Sequence, residues 1–349
     1  MTTAAAPVTD WGLYEMDAEA YHADPAPKPS LSSGCIATIV SETLAAAREG
    51  HPRLGPPKSD EDKLAEREKK YDLGTVAHTL VLGEGREIVV IDAADWRKKD
   101  AQEARKDAFE QGKTPCLIGT YEKAQAMRQA LFEQLADMPE EHDTFTEIGL
   151  SERAGFWQEQ TPMGRMWGRI LIDWHSTANG RLVIRDYKTY GGQFGADPDG
   201  FVRGLMGMGK DVQDPWYSKG LAAIVGKQTG EEIPWDAVDF KFIVQDPNPP
   251  YLVAVVALHD RQWSFERCQW GIDRWAAAAG ANLFRGFVPT THFVPPPTYA
   301  RIKWDERMTR EWEGEQEMLE KGRPALALKD PEEYRVPNPE DIDAEEIDA

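Results

Sequence analysis

The sequence predicts a protein of mixed class, α/β or α+β, in which helices flank a β core. Three observations carry that reading. Apolar residues recur at helical spacing on both sides of the middle of the chain. From Thr146 to Lys188 the period changes to two, with Ile, Val, Trp and Phe enriched, which indicates strands. Within that stretch Asn179-Gly180 separates two alternating runs, the strongest short-range hairpin signal, because a type I′ turn needs positive φ at both central residues.

Residues 1 to about 30 are rich in Ala, Pro and Thr and read as a lead-in, with Trp11 to Tyr21 a candidate to dock on the body. Ser30-Leu31-Ser32-Ser33 offers caps for a helix over Ile36 to Ala47. His51 to Asp62 is a loop rich in Pro, Gly and charge. A helix from about Glu61 to Leu82 follows, then a charged helical region from about Trp96 to Met138, interrupted near Gly112 to Gly119. After the strands, the pattern gives a helix near Asp211 to Gly226, strands at Val238 to Val244 and Tyr251 to Leu258, and a helix from about Asp260 to Phe284. The expected division is a lead-in (1–30), one domain (31–288) and a charged, weakly ordered tail (289–349).

The bulk numbers bound what such a chain does. At 349 residues and 41% hydrophobic content it can bury a large core. No run of about eighteen apolar residues appears, and Met1 to Asp10 lacks the regions of a signal peptide, so the expectation is a cytoplasmic protein with no membrane partner. Cys35, Cys116 and Cys268 are too few and too scattered for a disulfide framework, a Cys-x-x-Cys zinc site or a four-cysteine iron–sulfur cluster. Gly112-Lys113-Thr114 ends like a phosphate-binding loop, but Asp107 stands where its first glycine belongs. The net charge is −20, which opposes a nucleic-acid partner on its face. However, Glu311 to Ala349 holds fourteen acidic residues against four basic ones, so half of the surplus lies in the tail.

If Asn179 and Gly180 form a two-residue turn, Ala178 opposes Arg181 and Asp173 faces Asp186, with Cβ atoms about 4.5 to 5.5 Å apart. Lys188 then projects from the same face. Two opposed carboxylates repel, and a hard divalent cation shared between them offsets the charge. Lys188 beside that ion could orient or deprotonate a water, or stabilise charge on a phosphate. A surface hairpin with solvated charges, or an Asp–Lys bridge across strands, would read the same.

Asp173 followed by Asp186-Tyr187-Lys188-Thr189 resembles the Asp … Asp/Glu-x-Lys signature of the PD-(D/E)XK nuclease superfamily, and more narrowly its RecE-like branch of prophage exonucleases. His78 in Gly74-Thr-Val-Ala-His78 is similar to that family's upstream Gly-x-x-x-His. Gln213 and Tyr217 match its Gln-x-x-x-Tyr helix, and Phe240 to Tyr251 its late strand and Pro-containing turn. The resemblance covers roughly Leu31 to Phe287. It implies a central mixed sheet flanked by helices, and one or two Mg²⁺ ions, replaceable by Mn²⁺, held by His78, Asp173, Asp186 and the Tyr187 carbonyl. It also implies an acidic residue on the strand before Asp173, for which Glu152 fits better than Glu147.

Gln213 and Tyr217 share a helix face if Asp211 caps that helix and Pro215 falls in its first turn, and there they would contact DNA or support the site. Arg165 and Arg169 flank the hairpin and are candidate phosphate contacts, as are Arg203, Lys210 and Lys219. The activity implied is exonucleolytic digestion of linear double-stranded DNA, 5′ to 3′, by a tetrameric ring, leaving 3′ tails for a RecT-like annealing protein. A Cas4-like or restriction-type nuclease, or a catalytically silent DNA-binding protein of the same fold, are the competing readings.

Overall fold

The computed structural model describes residues 8–57, 73–192 and 195–334. The chain divides into two units, Met1–Phe287 and Val288–Ala349. Among the described residues of the first unit the strands are β1 (Gly12–Glu15), β2 (Leu31–Ser32), β3 (Ile88–Ile91), β4 (Thr114–Leu117), β5 (Leu150–Thr161), β6 (Gly164–Ser176), β7 (Leu182–Thr189), β8 (Val238–Gln245) and β9 (Val253–Val256). A central mixed sheet runs β1-β5-β6-β7-β8-β9, with β2 also pairing β6, and β3 and β4 form a small parallel pair of their own. β7 pairs β8 in parallel, and β2 pairs β6 in parallel; the other central pairs are antiparallel.

The helices of this unit among the described residues are α1 (Ala18–His22), α2 (Ser33–Ser41), α3 (Leu44–Glu49), α4 (Leu73–Leu82), α5 (Lys99–Glu110), α6 (Ile118–Ala136), α7 (Pro198–Gly207), α8 (Gln213–Thr229) and α9 (Arg261–Ala281). The sheet alternation decides which of them each strand meets. On β8, Phe240, Phe242 and Val244 enter a core with Ile36 of α2, Phe201 of α7, Trp216 of α8 and Ile272 of α9. The intervening Ile243 enters a second core with Val76 of α4 and Met127 of α6. A strand buried on both faces reads as an apolar run, as β8 does.

The hairpin forms in the predicted register. Asn179 (φ 56°, ψ 26°) and Gly180 (φ 71°) are the central residues of a type I′ turn, and the Arg181 N–H donates to the Ala178 carbonyl at 3.1 Å. Ser176 pairs Val183, His175 pairs Ile184 and Trp174 pairs Arg185, so Asp173 and Asp186 are the next positions along the two strands.

Several expectations change. Within the stretch read as a lead-in, Trp11 to Tyr21 dock on the body as expected, but as part of the sheet: β1 pairs β5, and Val8, Met16 and Tyr21 pack against Phe156 and Trp167. The helix expected over Ile36–Ala47 is two helices, because Thr43 accepts the Ala46 N–H at 3.1 Å and caps a fresh start. Asp211 does not cap α8; it lies buried in the preceding 3₁₀ turn, 2.6 Å from Arg267, and Val212 holds the cap position. Pro215 is then the third residue of α8, where its missing N–H costs nothing. The interruption expected near Gly112 to Gly119 is β4. The first part of the helix expected from Glu61, and the end of the acidic tail from residue 335, lie outside the described residues. In the second unit, Thr298–Glu320 form α10, a 23-residue helix with no buried residue. Among the described residues no helix is long and apolar enough to cross a membrane.

Candidate active site

α4 packs over the hairpin through Val76, Ala77 and Val81, which share a core with Trp174 and Tyr187. That packing aims His78 at the open end of the β6–β7 ladder. Its Nε2 lies 3.3 Å from Asp173 Oδ1, and its Nδ1 lies 3.4 Å from Glu152 Oε1. His78, Glu152 and Asp173 each offer a ligand atom, and these atoms all lie within 4.8 Å of one another.

Glu152 reaches this place through its backbone. β5 and β6 pair at Ser151–Trp174 and at Arg153–Ile172, while Glu152 between them sits at φ +48°, in the left-handed region. For a non-glycine residue this costs about 1 kcal/mol or more and persists only where the surroundings enforce it. Glu147, its rival, is exposed in a turn and takes no part in the trio. The sequence carried no sign of this kink.

Asp186 stands beside the trio and not in it. Its Oδ1 accepts the Gln213 side-chain amide at 2.6 Å, and its other oxygen is ion-paired with Lys188. The two carboxylates expected to share one ion are thus served differently: Asp173 by His78 and the Tyr187 N–H (2.8 Å), Asp186 by Lys188 and Gln213. The Tyr187 side chain points to the opposite face, where its hydroxyl donates to Gln245 at 2.6 Å. An extended residue directs its N–H and C=O to the same edge, so the Tyr187 carbonyl also faces the Asp173 side.

The electrostatics follow from burial. Burial raises the Asp186 pKa to about 6; Lys188 opposes the rise and Asp173 adds to it. Burial likewise raises Glu152 to about 7, against His78 and with Asp173. For His78, Asp173 and Glu152 outweigh the cost of burying the imidazolium, and its pKa rises. Lys188 is half-buried, and although desolvation opposes its charge, Asp186 and Asp173 hold its pKa above the usual lysine value, so it is a cation at neutral pH. A shared imidazolium balances the carboxylates of the trio. The same two carboxylates, a neutral imidazole nitrogen and a carbonyl edge suit a hard divalent ion, which would offset the burial, and the smaller repulsion from Asp173, that raise Glu152.

Gln213 and Tyr217 divide their roles. Tyr217 is buried, with its ring 6.3 Å from that of Phe240, and burial together with nearby negative groups, Asp186 and Asp173 among them, holds its phenol protonated. Arg169 is a correction. Its side chain is buried and its guanidinium is held by Ser30 Oγ (2.8 Å) and Asp24 (3.3 Å), so it faces inward and does not contact a phosphate. Arg165 is exposed near the far turn of β5–β6, eight residues along an extended strand from Asp173, or about 26 Å.

A cleft of about 570 Å³ opens at Lys188, with Ser33, Ser41 and Glu42 of the α2 segment on one wall and Lys210 and Gln213 on the other. Ser33 and Ser41 were legible only as a helix cap and a helix residue, because nothing local in the sequence places α2 against Lys188.

The arrangement is a half-buried acidic and histidine site with a lysine at its edge, on a mixed sheet flanked by helices. A model of the PD-(D/E)XK nuclease superfamily matches residues 50–293, and the chain belongs to that superfamily. Its members generally use divalent metal ions, and the trio is the candidate site for one here. Among solved structures, the crystal structure of a presumed exonuclease from Eubacterium rectale is similar at 13% identity and a TM-score of 0.45, over 82% of this chain and 98% of that one. No curated protein sequence matches this one significantly.

Proposed function

We propose that the chain is a Mg²⁺-dependent exodeoxyribonuclease of the RecE type that degrades linear double-stranded DNA. The observation that carries a hydrolytic reading is the convergence of His78, Glu152 and Asp173 within 4.8 Å, with the Asp186–Lys188 pair beside them. The narrower choice, with 5′ to 3′ polarity, a tetrameric ring and a RecT-like annealing partner, rests on the ordered resemblance of His78, Asp173, Asp186-Tyr-Lys188 and Gln213/Tyr217 to that branch.

His78, Glu152, Asp173 and the Tyr187 carbonyl would hold a divalent ion, which when bound supplies a more acidic water and neutralises charge on the scissile phosphate. Asp186, kept in place by Gln213 and opposite Asp173 at the end of the β6–β7 ladder, would join that shell once Lys188 turns to substrate. Lys188 is charged, so its role is to donate hydrogen bonds to phosphate oxygens as negative charge grows on them, and not to abstract the water proton. Hydrolysis adds the water oxygen to phosphorus, breaks one P–O ester bond and returns a proton to the leaving oxygen.

The test is to incubate the protein with end-labelled linear and closed circular duplex DNA, with Mg²⁺ and then with chelator. Metal-dependent loss of linear DNA alone is the expected result. Nicked circles point to an endonuclease of the same superfamily, and no cleavage of either to a silent one.

A further inference from the structure

α9 carries a stripe that the site described above does not use. Trp263, Arg267, Trp270 and Arg274 are spaced four, three and four residues apart, so at 3.6 residues per turn they fall on one narrow face. The opposite face, with Cys268, Ile272 and Trp275, is buried in the core. Trp263 and Trp270 are 43% and 50% exposed, high values for the largest side chain. Each is overlaid by the arginine four residues on: the Arg267 guanidinium lies 4.6 Å from the Trp263 ring centre, and that of Arg274 lies 4.6 Å from Trp270. Among the described residues neither acidic residue within the helix ion-pairs with these cations. Glu266 and Asp273 accept from Gln262 and Gln269, and among the described residues Arg274 has no carboxylate within 4.0 Å. Arg267 does have one, Asp211 at 2.6 Å. That contact ties the stripe to the 3₁₀ turn Lys210–Val212, whose Lys210 lines the cleft at Lys188.

We propose that this stripe is a binding track for single-stranded DNA, holding the unpaired strand next to the scissile phosphate. Flat rings overlaid by guanidinium groups offer stacking surfaces to bases and donors to phosphates. Bases inside a duplex have no free face to give. Tryptophan and arginine also favour protein interfaces, but Arg274 on the stripe and Lys210 at the cleft, neither of them ion-paired among the described residues, complement a polyanion. The choice of DNA rests on the proposed nuclease reading, whereas the binding assay below does not depend on turnover.

The test measures binding of a fluorescein-labelled twenty-nucleotide oligo-dT, and of a blunt duplex of equal length, by anisotropy in chelator. The full-length wild type is compared with Trp270→Ala, Trp270→Phe, Trp263→Ala and Arg274→Ala, all surface changes. Expected are quenching of tryptophan emission by oligo-dT, about tenfold weaker oligo-dT binding for Trp270→Ala and Arg274→Ala, near-complete rescue by Trp270→Phe, and less than a twofold change for the duplex. Unchanged oligo-dT affinity in both alanine variants, no oligo-dT binding by wild type, equal losses for duplex and single strand, or a changed oligomeric state in place of a changed affinity each overturn the track. Metal-dependent digestion is scored in parallel. Its absence with the binding pattern intact removes the nuclease reading and leaves the track standing.

Discussion

The Asp173 carboxylate accepts the Tyr187 amide at 2.8 Å, just where β6 and β7 stop pairing. One oxygen is thereby fixed to the backbone of the neighbouring strand, while the other meets His78 at 3.3 Å. The side chain is a structural tie and a candidate ligand at once, and substitution separates the two. Asp173→Asn keeps an acceptor for the amide but loses the charge; Asp173→Ala loses both. Both variants should lose Mn²⁺ binding in a titration followed by tryptophan fluorescence. Only the alanine variant should also lose about 1 to 3 kcal/mol in urea unfolding, the cost of a buried N–H without a partner. Equal stability of the two would mean that the amide finds another acceptor.

Lys188 should matter for turnover far more than for binding. Lys188→Ala is expected to lower kcat about 10²- to 10³-fold, as for loss of one donor to developing oxyanion charge, with DNA affinity in chelator within a few-fold of wild type. Single-turnover digestion of end-labelled duplex reads the first quantity and anisotropy the second. Wild-type turnover in this variant would remove Lys188 from the chemistry.

Gln213 and Tyr217 make a paired test. Gln213→Ala removes the 2.6 Å hydrogen bond to Asp186 and should lower kcat about tenfold with little change in KM. Gln213→Glu sets a second carboxylate there and should do worse. Tyr217→Phe, deep in the core, should turn over almost normally; a large rise in its KM would instead place the phenol on DNA.

Acid should weaken the fold through Glu141. Burial raises its pKa, but hydrogen bonds from Arg185 (2.6 and 3.0 Å) and Lys241 (2.7 Å) outweigh that and the net shift is downward. A carboxyl with a depressed folded pKa gives stability that is full above its unfolded value, about 4.5, and is lost as pH falls through the folded value. Glu141→Gln leaves the buried Arg185 short of its main counter-charge and should cost about 3 kcal/mol at pH 7. In urea melts the gap from wild type should narrow below about pH 4. A gap that stays constant with pH would show that the loss is one of packing and not of charge.

The local signals in the chain were sufficient for the hairpin and for much of the site. Asn179-Gly180 needed only its own backbone preference to set the register, and the alternation then carried Asp173, Asp186 and Lys188 to one end of the sheet. His78 and Gln213 were reachable through ordered motifs. What escaped is what depends on distant partners. The left-handed kink at Glu152 has no glycine or asparagine to announce it. Arg169 reads as a basic residue near a hairpin until Asp24 and Ser30 are seen to enclose it. β1 and β2 are four and two residues long, too short to show a period, and α2 separates from α3 through a single threonine cap.

The enclosure of Arg169 bears on where this protein can be cut. Asp24 and Ser30 come from the stretch that motif boundaries would trim away, and the Arg169 guanidinium, which Asp24 neutralises and Ser30 accepts from, stands in the strand that also carries Asp173. A shortened version beginning at Leu31 would strand a positive charge in the interior, so the minimal folding body starts well upstream of the first recognisable motif.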